Sequence, residues 1–262
     1  MNRAIKPETA SATAAQSDKT TAAQSMETLL RDGLTALQLP MTPDAIGTAA
    51  EAMARYAQIL LDRNRVMNLT AITSETDVAR LHFLDSCALA ALVDFHGKTL
   101  LDVGTGAGFP GLPLRLLDPS IKLTLLDAQR KRVDFLQSVR DALSLSDVTC
   151  VHGRAEEYAV GNRERFDLVA SRAVAALPTL TELCLPLVRV GGRFLAMKAV
   201  NADAELSAAA RAIEKLGGAV ESAKDYAIPG ADVTRRLIVI AKTRPTPSGY
   251  PRTFAKIKKN PL

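Results

Sequence analysis

From residue 98 onward, short apolar runs alternate with stretches of helical periodicity, and this limits the fold more than any other feature of the chain. The runs are Thr99–Val103, Lys122–Leu126, Val148–Val151, Phe166–Ala170 and Arg193–Met197. Between and after them, helical spacing falls at about 111–117, 130–143, 176–187 and 203–216. Such alternation builds a parallel sheet with right-handed crossovers and helices on its faces. Two final runs, Ala219–Ile228 and Arg235–Ala241, have no helix between them, and Pro229-Gly230-Ala231-Asp232 reads as a hairpin turn. The expectation over 97–241 is an α/β domain whose seven-stranded sheet has five parallel strands plus an antiparallel pair.

Residues 26–96 form an N-terminal helical region. Thr42-Pro43-Asp44 is a cap-like start with Pro at the first helical position. Ile46, Ala50, Met53, Ala57, Leu60 and Leu61 then follow the 3.6 period. Ser74 and Asp77 make a second start, a capping-box variant. Arg63 to Thr70 reads as a polar, basic connector between the two helices. Residues 1–25 are Ala, Thr, Ser and Gln with almost no large apolar residue, which predicts a disordered extension. They contain no apolar core of a secretory signal, so cytoplasmic residence is expected.

A chain of 262 residues with 47% hydrophobic side chains can bury a full core without disulfides. Its three cysteines, Cys87, Cys150 and Cys184, form no CxxC pair, which argues against a disulfide framework and a structural zinc site. No apolar run reaches membrane-spanning length. Residues 242–262 hold six Lys or Arg and no acid; because the whole chain carries +5, the preceding 241 residues carry −1. A near-neutral body with a basic C-terminal tail points to a phosphate-rich partner, or else to a tail that only aids solubility.

The segment Leu100-Leu101-Asp102-Val103-Gly104-Thr105-Gly106-Ala107-Gly108-Phe109-Pro110-Gly111 ends the first run and opens a helix. Gly104, Gly106 and Gly108 let the backbone turn sharply against a ligand. Dinucleotide folds want GxGxxG, but this spacing is GxGxG followed by Phe109. Asp102 is placed to face a cation, and S-adenosylmethionine (SAM) carries an ammonium and a sulfonium but no phosphate. Asp127 lies 23 residues past Gly104, at the end of the second strand, where a carboxylate can accept both hydroxyls of an adenosine ribose. SAM and NAD both carry that diol, so Asp127 does not choose between them.

After the third strand, Ala155 leaves room for an adenine ring, with Glu156 at its edge. Arg172 and Lys198 end the fourth and fifth strands and are the positioning candidates, because ligands bind at the carboxyl ends of such strands. No Asn/Asp-Pro-Pro-aromatic tetrapeptide or Pro-Cys follows the fourth strand, which disfavours exocyclic amine and covalent pyrimidine methylation. No metal-ligand spacing occurs, and His82 reads as structural.

Together these residues resemble the Rossmann-like SAM-dependent methyltransferases. The likeness extends further through Asn64-x-x-x-Asn68-Leu69-Thr70, His82-Phe83-Leu84-Asp85-Ser86, Asp102 to Gly111, Leu125-Leu126-Asp127, Lys131-Arg132-Val133-x-Phe135-Leu136 and Ser171-Arg172-Ala173. These look like the glucose-inhibited division protein B family, the small-subunit ribosomal RNA methyltransferase G group, over about 55–262. Arg63 stands where that family commonly carries an aromatic residue. The resemblance implies SAM as cofactor and guanine N7 in the 530 loop of 16S rRNA as target. It also implies cofactor contacts at Gly104, Phe109, Ala155, Glu156 and Arg172, with Asp127, Ala128 and Gln129 near the ribose and adenine. Lys198, Arg65 and the tail would then meet RNA phosphates. A monomer acting on 16S rRNA or the small subunit, without membrane or metal, is expected; an NAD-type oxidoreductase and a non-catalytic RNA-binding assembly factor are the alternatives.

Overall fold

The computed structural model describes residues 26–262, so the expected extension 1–25 lies outside it. The seven strands are β1 (Thr99–Val103), β2 (Lys122–Asp127), β3 (Val148–His152), β4 (Phe166–Arg172), β5 (Val188–Ala199), β6 (Gly218–Ala227) and β7 (Thr234–Lys242). They form one sheet in the order β3-β2-β1-β4-β5-β7-β6. β1 to β5 pair in parallel, and the hairpin returns β7, antiparallel to both neighbours, between β5 and β6. The order reverses between β1 and β4, so a crevice opens at their carboxyl ends.

β5 is much longer than the run that announces it. Gly191-Gly192, which reads as a turn, lies inside the strand. A side chain at Gly192 would stand 2.5 Å from the Asp167 carbonyl oxygen, so only glycine lets the two backbones meet there.

Helices α5 (Gly111–Leu117), α6 (Arg130–Ala142), α7 (Ala155–Asn162), α8 (Leu177–Cys184) and α9 (Asp203–Lys215) cover the sheet. Periodicity does not announce α7, because it buries only Ala155 and Ala159. Before the sheet come α1 (residues 26–36), α2 (Pro43–Met67), the short helices α3 (Glu75–Val78) and α4 (Asp85–Cys87), and a π-helical stretch, Ala79–Leu84, joining the last two. The Thr42 hydroxyl caps α2 by accepting the Ala45 N–H, and Ser74 caps α3 through the Asp77 N–H.

Two expectations need correction. Arg63 to Met67 is not connector but the last turn of α2. Asn68 ends that helix in the left-handed region at φ +49, a role asparagine tolerates well. The Asn64 side chain is buried and exchanges two hydrogen bonds with the Thr70 backbone, fixing the exit of the chain.

Residues 242–262 are likewise no free tail. Lys242 is buried, donating to the Leu185 and Leu216 carbonyls, and Arg163 donates to the Thr246 carbonyl at 2.6 Å and to that of Tyr250. Arg252 makes a two-pronged ion pair with the fully buried Glu182, at 2.6 and 2.8 Å. A short helix, α10 (Phe254–Lys259), then buries Ile257 in the core. Of the six positive charges, Lys242 and Arg252 are paired with Glu164 and Glu182, and Arg244 donates to the Glu214 carbonyl at 2.9 Å.

Candidate cofactor and substrate site

At the carboxyl end of β1 the chain turns through Gly104, Gly106 and Gly108, all at positive φ. Two carboxylates hold this turn. Asp102 is fully buried; its Oδ2 accepts the Thr105 hydroxyl at 2.7 Å and the Gly111 N–H at 2.9 Å. Its Oδ1 has no partner among the described residues, and burial pushes its carboxyl up to about 6. Asp102 is therefore turned into the loop that it organises. Its carboxylate also occupies the N-terminus of α5, where a dinucleotide fold would seat a pyrophosphate.

Asp127 ends β2 as a second clamp. One oxygen accepts the Gly106 N–H at 2.9 Å, the other the Gln129 N–H at 2.8 Å, and Arg132 stands 3.5 Å away. Beside it lies a cavity of about 180 Å³, lined by Val103, Gly104, Leu126, Asp127, Ala128, Gly153, Arg154, Ala155, Glu156, Val174, Leu183 and Phe254. Five cofactor candidates therefore meet in one pocket: Gly104, Asp127, Ala128, Ala155 and Glu156. An acidic edge and apolar walls fit a purine nucleoside. The volume is below the roughly 300–1,000 Å³ of whole-ligand pockets, so it suits one end of a cofactor.

The loop after β4 separates this pocket from a second one. Val174 lines the first, and Arg172 and Ala173 line the second. That second cleft, about 390 Å³, is also bounded by Ile72, Leu81, His82, Asp85, Met197, Lys198, Glu205 and Arg235. Arg172 donates to Asp85 at 3.0 Å, to the Leu81 carbonyl at 3.0 Å, and to Nδ1 of His82 at 3.0 Å. The second Asp85 oxygen accepts the Tyr226 hydroxyl at 2.9 Å. Accepting from Arg172 leaves the His82 proton on Nε2, which faces the Thr70 hydroxyl at 2.8 Å. Burial and the Arg172 charge push His82 down to about 3, so the ring is neutral.

Phe109 lies beneath this network. Its ring is buried, stacked on Tyr56 and on His82, with the Arg172 guanidinium 5.1 Å from its centroid. As a cofactor candidate it therefore has only its backbone to offer. Gly106, Gly108 and Gln129 sit in the turns held by Asp102 and Asp127, outside the lining of either cavity.

Lys198 does reach the active face, but it is not available to RNA phosphate. Its ammonium binds the Ala175 carbonyl at 2.9 Å and Glu205 at 2.7 Å, and the side chain is 10% exposed. It thus ties the loop after β4 to α9, whose Glu205 also accepts the Leu177 N–H. Arg65, by contrast, is 78% exposed.

Sequence reasoning missed His82, Asp85, Tyr226 and Phe254 as site residues. The first two lie in the quoted His82 to Ser86 motif, His82 within the π-helical stretch and Asp85 just after it, and both bond Arg172. Tyr226 and Phe254 come from β6 and α10, and no local pattern marks them.

A Rossmann-like sheet with a GxGxG turn and an acid at the end of β2 defines the class of SAM-dependent methyltransferase folds. The O-methyltransferase from Bacillus cereus, solved in complex with SAH, shares that fold at TM-score 0.52 and 20% identity, covering 72% of this chain and 91% of its own. The profile described as rRNA small subunit methyltransferase G matches residues 49–236. Ribosomal RNA small subunit methyltransferase G of Acetivibrio thermocellus is 44% identical over 209 residues, 79% of this chain and 86% of its own. That of Alkaliphilus oremlandii is 44% identical over 241 residues, 90% of this chain and 99% of its own. The chain belongs to the rRNA small subunit methyltransferase G family.

Proposed function

We propose that this protein transfers a methyl group from SAM to N7 of a guanine in the 530 loop of 16S rRNA. The observation that carries the reading is the convergence of Gly104, Asp127, Ala128, Ala155 and Glu156 on one pocket, within the segment matched to the family. SAM, when bound, supplies an electrophilic methyl group on a sulfonium. Asp127 accepts the ribose hydroxyls, and Ala155 and Glu156, at the start of α7, border the adenine. The second cleft, across the Arg172–Val174 loop, receives the base.

Guanine N7 has an in-plane lone pair and no proton. The new bond forms from that pair as the carbon–sulfur bond breaks, and the positive charge passes from sulfur to the purine. No side chain has to remove a proton, so holding the reactants in line supplies most of the gain. The cleft fits this need. Of the cations that bound it, Arg172 is paired with Asp85 and Lys198 with Glu205, so those two oppose a purine that becomes positive less than free cations would; Arg235 lies on the same wall. His82 is held neutral beside them.

The test is transfer of tritiated methyl from SAM to unmethylated small subunits and to naked 16S rRNA, with NAD binding measured by calorimetry. Label in the RNA and no binding of NAD is the expected result. NAD binding without methyl transfer would overturn the reading in favour of an oxidoreductase.

A further inference from the structure

The carboxyl-terminal segment, read from its charge as an appendage, supplies one wall of the nucleoside pocket. Phe254 lines the same cavity as Asp127, Ala128, Ala155 and Glu156. The Arg154 guanidinium lies over its ring, 4.4 Å from the centroid, and Arg154 in turn holds Glu156 at 2.6 Å. The ring therefore belongs to the arrangement that shapes the adenine edge. Its position is fixed from both sides: Arg252 is locked to buried Glu182 two residues before it, and Ile257 is buried three residues after it. Phe254 lies well beyond the family-matched segment 49–236, so nothing in that match assigns it a role.

We propose that Phe254 is a cofactor-binding residue that packs against the adenine, so that the segment 252–257 acts as a strap closing the adenosine end of the site. A half-buried aromatic side chain on an otherwise aliphatic wall is what a purine face requires. The ring adds little hydrogen-bond selectivity, which comes from Asp127 and Glu156. It adds contact area and excludes water from the acidic edge. The proposal rests on the reading of this pocket as the adenosine end of the SAM site.

The chain has no tryptophan, so Phe254→Trp introduces a single indole at the point in question. Titrating that variant with S-adenosylhomocysteine should change its indole emission saturably, at the concentration range given by calorimetry. Phe254→Ala should bind S-adenosylhomocysteine and 5′-methylthioadenosine more weakly by the same factor, roughly tenfold, the effect of removing one aromatic face from a bound base. The equal factor assigns the contact to the nucleoside end, because the second ligand lacks the amino-acid part. A ring that serves only to hold α10 would lower the unfolding temperature while leaving the Phe254→Trp emission unmoved by saturating ligand; that result overturns the proposal. Wild-type affinity in Phe254→Ala overturns it equally. Asp127→Ala separates the two readings. If it weakens binding and Phe254→Ala does not, only the strap assignment fails; if neither does, the reading of the pocket fails.

Discussion

Arg172 and Asp85 form an ion pair of 3.0 Å across 87 residues of sequence, joining the end of β4 to the helical region that precedes the sheet. Asp85 is almost wholly buried and uses its other oxygen on Tyr226, so one carboxylate fastens three elements at the edge of the proposed substrate cleft. Asp85→Ala should therefore destabilise the protein by roughly 3–5 kcal/mol, the cost of stranding a buried charge. Tyr226→Phe should cost less, about 1.5–3 kcal/mol, the worth of a hydrogen bond to a charged acceptor. Denaturant unfolding checks both. Arg172→Ala should weaken SAM binding about tenfold or more, and Arg172→Lys should not restore it, because an ammonium cannot serve Asp85, Leu81 and His82 in one plane. Calorimetry with SAM reads this directly.

His82 gives a pH signature of known sign. Its proton affinity is lowered on folding, from the ordinary value near 6.5 to about 3. The unfolded chain therefore binds the extra proton between those values, and the stability His82 contributes is complete above pH 6.5 and falls as pH drops toward 3. By pH 5 the loss amounts to about 2 kcal/mol. His82→Asn should show a smaller drop in unfolding free energy between pH 7 and pH 5 than the wild type. An equal drop in both proteins would remove His82 from the account.

The basic segment divides into anchoring and free charges. Lys242 and Arg252 are anchors, so deleting 242–262 would damage the fold and the proposed nucleoside pocket together. Lys256, Lys258 and Lys259 are exposed on α10. Changing these three to Gln should flatten the log–log salt slope of RNA binding by about 2, at about 0.7 per phosphate contact on single strands. Affinity for S-adenosylhomocysteine should stay unchanged. A full salt slope in the triple variant would show that α10 does not meet RNA.

What was legible in the sequence was whatever depends on local pattern. Most strands show because they are apolar runs bounded by turn residues, the largely exposed β6 shows from the turn that pairs it with β7, and Thr42 and Ser74 show because a cap is a local hydrogen bond. The GxGxG turn and Asp127 show because chain spacing alone brings them together at the ends of β1 and β2. Orientation and long-range pairing did not show. Asp102 reads as an acid facing a ligand, yet it points into its own turn, which depends on Thr105 and Gly111 closing back on it. Lys198 reads as a phosphate contact, yet Glu205 and the Ala175 carbonyl hold it. The tail reads as free because its partners, Glu182 and Glu164, lie some 70 and 80 residues away. Phe254 was hidden for the same reason.

If N7 is the target, as proposed, no catalytic base is required, and that makes a kinetic prediction. His82 is neutral throughout the neutral range, and N7 carries no proton to remove. Single-turnover methylation at saturating RNA and SAM should therefore show no ascending limb of slope one across about pH 7–9. Below that range the Asp102 carboxyl, at about 6, begins to take up a proton and the turn it organises is perturbed. A limb of slope one within pH 7–9, abolished by one substitution in the cleft, would show a working base and a different target atom.

Locating the methyl group itself decides whether N7 of a 530-loop guanine is the target. Unmethylated small subunits are treated with the purified protein and SAM, and the 16S rRNA is then reduced with borohydride and cleaved with aniline. Those reagents break the chain at N7-methylguanosine, because the cationic purine is labile. One new, SAM-dependent scission is expected at a guanine of the 530 loop, absent with Asp127→Ala at limiting cofactor. Methyl label recovered in the RNA without any scission there would place the group on another atom or in another loop, and would contradict that assignment.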